Sequence, residues 1–220
     1  YIVAWCPKDN TAIEDVEMEY EERVDKLYYI KYPLANSKSE TERFASRKRN
    51  SKNYITIATT RPETIFADVA VAVYPNHPKY KKFIGDKVIN PLTNKAIPVI
   101  GDKRVERDFG TGALKITPGH DLMDFEIGRD HNLPVIQVVD KNGRMAENTG
   151  LEGMKVMEAK GKVVEILRDK EVLAKEEDYI HNVGVCERCK SVVEPLISEE
   201  WFVKVSDLAK EAIRTINRDE

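Results

Sequence analysis

The sequence predicts an α+β domain. Short runs of β-branched and aromatic residues recur between turn signals, three stretches carry helical signals, and strands and helices do not alternate in the regular order of a parallel βαβ fold. The 220 residues are ample to bury a core, either as one domain with appendages or as two small ones.

The first 25 residues hold a short aromatic and proline-bearing segment followed by an acidic stretch from Glu14 to Glu22. Lys26 to Tyr32 reads as a strand by its aromatic and β-branched content, and Tyr54 to Thr59 as another by alternation; the two suit a hairpin. Residues 36–53 between them are rich in Ser, Lys, Arg and Glu and poor in apolar side chains, which predicts a mobile loop. Its basic cluster, Arg43, Arg47, Lys48, Arg49 and Lys52, fits a solvated loop first and an RNA-backbone contact second.

Val69 to Val73, Ala96 to Ile100, Ala113 to Thr117 and Pro134 to Val139 read as short buried strands, separated by turn residues such as Pro75-Asn76, Pro91 to Asn94 and Asn142-Gly143. Asp121 to His131 suits a short helix opening after Pro118-Gly119. Met154 to Lys170 suits a longer one, with Met157, Val163, Val164 and Leu167 near one face and Gly161 weakening it. Val205 to Ile216 has amphipathic spacing through Leu208, Ala209, Ala212 and Ile213, and its apolar face needs a cover.

Composition is that of a soluble protein, at 41% hydrophobic and 33% charged, with no bilayer-length apolar run and no export leader, so the expected location is cytosolic. The cysteine count of 3 is odd, with Cys6 far from the pair Cys186-Glu187-Arg188-Cys189, a pattern that suits a reduced compartment and metal binding better than a disulfide framework. The net charge of −3 leaves any RNA contact to a local basic surface.

Two segments carry the chemistry. Thr59-Thr60-Arg61-Pro62-Glu63-Thr64 ends an apolar strand, and Gly110-Thr111-Gly112-Ala113-Leu114-Lys115-Ile116-Thr117-Pro118-Gly119-His120-Asp121-Leu122-Met123-Asp124 follows later in the chain. Together they resemble the editing domain of valyl-tRNA synthetases, and the likeness runs from Trp5-Cys6-Pro7 to Glu200-Trp201-Phe202-Val203-Lys204. The isoleucyl pattern has threonine at the position of Arg61, tryptophan at that of Glu63 and histidine at that of Lys115, and the leucyl pattern has aspartate at that of Glu63.

The resemblance implies a barrel-like β core with flanking helices. It also implies an order of parts: an entrance linker and β-ribbon over 1–25, the editing domain over 26–178, an exit linker with the Cys-x-x-Cys over 179–204, and a helix on the catalytic-domain side over 205–220. The implied activity is hydrolysis of threonine misattached to tRNA(Val), without a cofactor. The implied partners are the 3′ end of that tRNA and the rest of the synthetase chain, with no membrane. No His-Ile-Gly-His or Lys-Met-Ser-Lys-Ser motif occurs in these 220 residues, so no amino acid activation is expected from them. The alternatives are an isoleucyl or leucyl editing domain, or a non-catalytic zinc-ribbon module that binds tRNA.

An aminoacyl ester is activated, so a positioned water and donors for the developing oxyanion suffice to cleave it. A pocket that pairs the substrate hydroxyl rejects the analogue lacking it, because its own polar groups are otherwise stranded. The resemblance assigns Asp124 to the substrate ammonium and Asp121 to the terminal adenosine; by spacing alone both also favour the positive end of a helix. It places Lys115 and Arg61 together as donors to the threonine hydroxyl or ester, with Thr64 beside them and Thr59 and Thr60 in the pocket wall. Lys115 is expected off the core. Glu106, Phe109 and Leu114 flank the glycine loop assigned to the adenosine, where Phe109 fits base stacking and ordinary core equally. His120 and His131 lack a further His cluster to complete a catalytic metal sphere. A structural zinc would take Cys6, Cys186 and Cys189 with either Asp9 or His181, and the same residues also allow no metal at all.

Overall fold

The computed structural model describes residues 1–35, 54–107 and 110–216; Arg43 to Lys52 and Phe109 lie outside them. The strands in chain order are β1 (Ile2–Cys6), β2 (Thr11–Ile13), β3 (Met18–Pro33), β4 (Tyr54–Thr59), β5 (Ala70–Val73), β6 (Lys87–Ile89), β7 (Ala96–Gly101), β8 (Ala113–Ile116), β9 (Leu173–Cys186) and β10 (Glu194–Ile197). The helices are α1 (Leu122–Asp130), α2 (Val156–Asp169) and α3 (Ser206–Ile216).

Strand β3 is the spine. It pairs antiparallel with β4 from Tyr28↔Thr59 to Pro33↔Tyr54, the expected hairpin, and on its other edge with β9 from Met18↔Cys186 onwards, with an irregularity at Tyr29/Ile30. Its two halves differ as their compositions dictate. Leu27, Tyr28, Ile30 and Tyr32 are buried, whereas the acidic half from Glu19 to Asp25 is largely exposed on a two-stranded ribbon with β9. That ladder crosses residues 25/26 and 178/179 without a break.

A second sheet has the order β6-β7-β5-β8, in which β5 and β7 are parallel and the other pairs antiparallel; a third has the order β10-β1-β2. The main core lies between the first two sheets and α2, where Ile30, Tyr32, Ile55, Ile57, Val71 and Val73 meet Val163, Val164 and Leu167. Trp5 and Leu196 fasten the third sheet to Val138, Val139, Met145 and Ala159.

The α+β class is as expected, but the β core consists of open sheets with no closed barrel among the described residues. The edges of β4 and β8 approach one another, and Thr111 Oγ1 donates to the Thr56 carbonyl at 2.6 Å, yet no ladder joins them there. Residues 134–139, expected as a strand, form no ladder apart from the isolated bridge Val139↔Met145. Pro134 has no N–H to give, and the Val138 N–H goes to a histidine ring. Met157, expected near the core face, is 73% exposed, because the buried stripe of α2 runs through Ala159, Lys160, Val163, Val164 and Leu167 and leaves position 157 at its edge. Helix α3 forms as predicted, with Leu208, Ile213 and Ile216 exposed.

Candidate active site

Strand β8 delivers Lys115 to the interior. Strand alternation sends Lys115 and Thr117 to the same side, and Lys115 Nζ donates to Thr117 Oγ1 at 2.5 Å. The Thr117 hydroxyl donates onward to Asp68 Oδ1 at 2.7 Å, Tyr32 Oη donates to Asp68 Oδ2 at 2.5 Å, and Lys115 Nζ lies 3.4 Å from Asp68 Oδ1. All four residues are buried. The expectation that Lys115 lies off the core is therefore wrong. A buried ammonium needs a charged acceptor, and Asp68 supplies one from just beyond the 3₁₀ turn Pro62–Ala67. Burial raises the pKa of Asp68 while Lys115 pulls it back.

The loop after β8 places Asp124. Gly119 passes so close to residue 136 that a Cβ there would meet the Ile136 carbonyl at 2.3 Å, so only glycine lets the two backbones close. Asp121 then caps α1, its Oδ1 accepting from the Asp124 N–H at 2.9 Å. The two aspartates do not form a paired face: Asp121 is exposed, whereas Asp124 is 4% exposed and turns inward, its Oδ2 accepting from the Thr117 N–H at 2.8 Å. No hydrogen bond to the other Asp124 oxygen is made among the described residues. Burial pushes the Asp124 carboxyl up to about 7, against the pull of Lys115 and with a further push from Asp121.

Arg61 sits in a separate network. Its Nη2 donates to Glu194 at 2.5 Å, its Nε to Glu63 at 3.3 Å and its Nη1 to the His120 carbonyl at 3.2 Å. Burial would lower its pKa, but the Glu194 and Glu63 charges outweigh this and hold it protonated. The second oxygen of Glu63 is buried without a partner among the described residues. Thr59 Oγ1 accepts from the Arg61 N–H at 3.0 Å and Thr64 Oγ1 donates to the Arg61 carbonyl at 2.9 Å, so both hydroxyls shape the turn; Thr60 is half-buried. His120 lies between the two networks. Its Nε2 accepts from the Val138 N–H at 2.8 Å, and burial followed by the Arg61 and Lys115 charges drives its pKa down to about 3. His131 instead faces Asp102 at 3.1 Å.

Glu106 and Leu114 line one cavity of about 250 Å³ with Ala58, Arg104, Thr111 and Met123. Leu114 precedes Lys115, and Met123 precedes Asp124, so the cavity and the buried network share β8 and the first turn of α1. Asp121 borders a different groove. Sequence reasoning missed Asp68, Tyr32 and Thr117. The alternation that pairs Thr117 with Lys115 was readable, but the meeting of Tyr32 and Asp68 depends on tertiary packing.

At the far end, Cys6, Asp9, Cys186 and Cys189 converge, with all their ligand atoms within 4.8 Å of one another. Three thiols and a carboxylate at that spacing fit a tetrahedral divalent metal. His181, the other expected fourth ligand, is directed elsewhere, its Nε2 lying 3.8 Å from Asp25.

Residues 79–176 match the family model described as leucyl-tRNA synthetase, editing domain. A solved structure described as "The crystal structure of GlLeuRS-CP1" superposes with a TM-score of 0.56 at 14% identity, covering 70% of this chain and 99% of that one, a likeness of fold alone. The family match is to the editing domain of an aminoacyl-tRNA synthetase.

Over its whole length the chain is similar to valine–tRNA ligases. It is 49% identical to that of Aquifex aeolicus (strain VF5) over 94% of this chain and 18% of the relative. It is 45% identical to that of Thermotoga maritima over 100% and 24%, and 48% identical to that of Carboxydothermus hydrogenoformans over 97% and 23%. The chain belongs to the valyl-tRNA synthetase editing-domain family. It spans about a fifth to a quarter of the length of these curated relatives. No helix among the described residues is long and apolar enough to cross a membrane.

Proposed function

We propose that this domain hydrolyses the ester of threonine misattached to tRNA(Val), releasing free threonine and the intact tRNA 3′ end. The observation that carries the reading is the buried Asp124 carboxylate, pinned through one oxygen by the Thr117 N–H and without a hydrogen bond at the other among the described residues, with Lys115 close enough to lower its pKa. A substrate ammonium brought to the second oxygen gains a charge-assisted hydrogen bond in a nearly dry setting. That contact fixes the ester, so water attacks a held carbonyl carbon. Lys115 and Thr117, whose network adjoins Asp124, are the polar groups assigned to the threonine hydroxyl, which valine lacks. Glu106, Leu114 and Met123 offer the cavity for the terminal nucleoside.

Arg61 serves this reading as a positioning residue, because each of its donor nitrogens is already engaged within the protein. A metal held by Cys6, Asp9, Cys186 and Cys189 would tie the β1–β2 turn to the turn after β9. The partners are then the tRNA(Val) acceptor end and the remainder of a longer synthetase chain, and the place of work is the cytoplasm, where tRNA is charged. Incubating the chain with threonyl-tRNA(Val) and valyl-tRNA(Val) tests the proposal. Threonine should be released and valine retained; release of neither, with tRNA still bound, would favour the non-catalytic tRNA-binding module.

A further inference from the structure

The buried chain Lys115–Thr117–Asp68 has a direction, and the chemistry of its end members sets it. An ammonium only donates hydrogen bonds, and an ionised carboxylate only accepts them. Thr117 Oγ1 sits between the two, 2.5 Å from Lys115 Nζ and 2.7 Å from Asp68 Oδ1. Its single proton is therefore committed to Asp68 and one of its two lone pairs to Lys115. Of the three N–H groups on Lys115, one goes to Thr117 and a second faces Asp68 Oδ1 at 3.4 Å. What remains unspent among the described residues is one N–H on Lys115 and one lone pair on Thr117, a donor beside an acceptor.

The fold holds Asp68 for this role. Its N–H donates to the Ile65 carbonyl at 3.1 Å as the 3₁₀ turn Pro62–Ala67 ends, and the Val69 N–H donates to the Ile116 carbonyl at 2.9 Å, which brings residue 68 level with Thr117. Tyr32 reaches across from β3 and occupies the second carboxylate oxygen, leaving Oδ1 to Thr117 and Lys115. The Asp68 side chain is 0% exposed, so it meets no substrate and acts through the two residues that it orients.

We infer that Asp68 is a specificity-determining positioning residue: by taking the Thr117 proton it turns that hydroxyl into an acceptor, so that Lys115 and Thr117 read a substrate hydroxyl as donor and acceptor at once. A hydroxyl can accept from Lys115 and donate to Thr117, whereas a hydrocarbon side chain leaves both groups stranded. Without Asp68 the Thr117 proton is free to turn outward, and two donors then face a hydroxyl whose own proton finds no acceptor. Thr117 also gives its backbone N–H to Asp124, so one residue joins the reader of the hydroxyl to the carboxylate proposed for the ammonium. Threonine carries those two groups on adjacent carbons. The inference rests on the proposed hydrolysis of threonyl-tRNA(Val).

The test is the ratio of kcat/KM for threonyl-tRNA(Val) to that for 2-aminobutyryl-tRNA(Val), whose side chain is that of threonine without the hydroxyl, measured on the 220-residue chain and its Asp68 variants. Asp68→Ala removes the acceptor. Asp68→Asn keeps the shape if the alanine variant fails to fold, but its one carbonyl oxygen must serve the protons of both Tyr32 and Thr117. The ratio should fall about tenfold in either variant, the worth of one hydrogen bond to a charged group, with most of the loss on the threonyl ester. A residue that serves the fold alone would slow both esters equally. A parental ratio in folded Asp68→Asn would therefore overturn the assignment while leaving the hydrolytic reading in place, and so would a ratio near one in the parent chain. A parent that cleaves neither ester would overturn the hydrolytic reading and this inference with it.

Discussion

Lys115 and Asp68 form a buried ion pair, with Nζ 3.4 Å from Oδ1, joined through the Thr117 hydroxyl that bonds to both. This relationship makes Lys115 part of the fold as well as of the candidate site. Removing the ammonium leaves the Asp68 charge in the interior with only the Tyr32 and Thr117 hydroxyls and no cation, which costs about 3–5 kcal/mol where such pairs are broken. Lys115→Ala should therefore destabilise the domain by about that much in denaturant titrations. Pairing it with Asp68→Asn should recover much of the loss. A Lys115→Ala variant as stable as the parent would contradict the pairing.

Asp124 makes activity and stability depend on pH in opposite directions. Its pKa is raised from 3.8 to about 7 in the folded chain, so the native state binds the proton more tightly than the unfolded state does. The stability contributed by that proton is complete below the unfolded value and is lost as pH rises through about 7. Activity follows the ionised form, so kcat/KM for threonyl-tRNA should climb through about pH 7, while kcat, read with the ammonium in place, should rise at a lower pH. A flat kcat/KM profile from pH 6 to pH 8 would remove Asp124 ionisation from the mechanism.

Arg61 ties three parts of the chain together through Glu63, Glu194 and the His120 carbonyl. A lysine cannot reproduce that fork, so Arg61→Lys should resemble Arg61→Ala, both lowering thermal stability by stranding Glu63 and Glu194. Full rescue of stability by lysine would show that charge alone matters there.

Metal removal should separate structure from chemistry. A strong chelator is expected to loosen the end held by Cys6, Asp9, Cys186 and Cys189, visible as faster amide exchange in residues 2–13 and 184–197, while threonyl-tRNA hydrolysis persists. Immediate loss of turnover in a chelated but folded protein would contradict this.

Periodicity and turn chemistry made much of the fold legible. The β3–β4 hairpin, the strands through Val71, Val99 and Lys115, and all three helices follow from local pattern. The acidic segment near Glu19 did not read as strand, because its partner, β9, lies more than a hundred residues away and its exposed side chains carry no apolar alternation. The 134–139 segment failed in the opposite sense: its residues look like a strand, but Pro134 lacks a backbone donor and the Val138 N–H is given to His120. In the site, the Gly110 to Asp124 motif exposed Lys115, Asp121 and Asp124, whereas Asp68 and Tyr32 came together only through packing of β3, β8 and the turn after β4.

The central claim is that Asp124 anchors the ammonium of the bound amino acid, and the most direct measurement is threonyl-tRNA(Val) deacylation by folded Asp124→Ala protein. Truncating one member of a desolvated charge pair costs about 2–5 kcal/mol, so the rate should fall by roughly 30-fold to several thousandfold. Asp124→Asn, which keeps the shape and loses the charge, should fall with it. Near-parental deacylation by either variant would contradict the anchor and the site built around it.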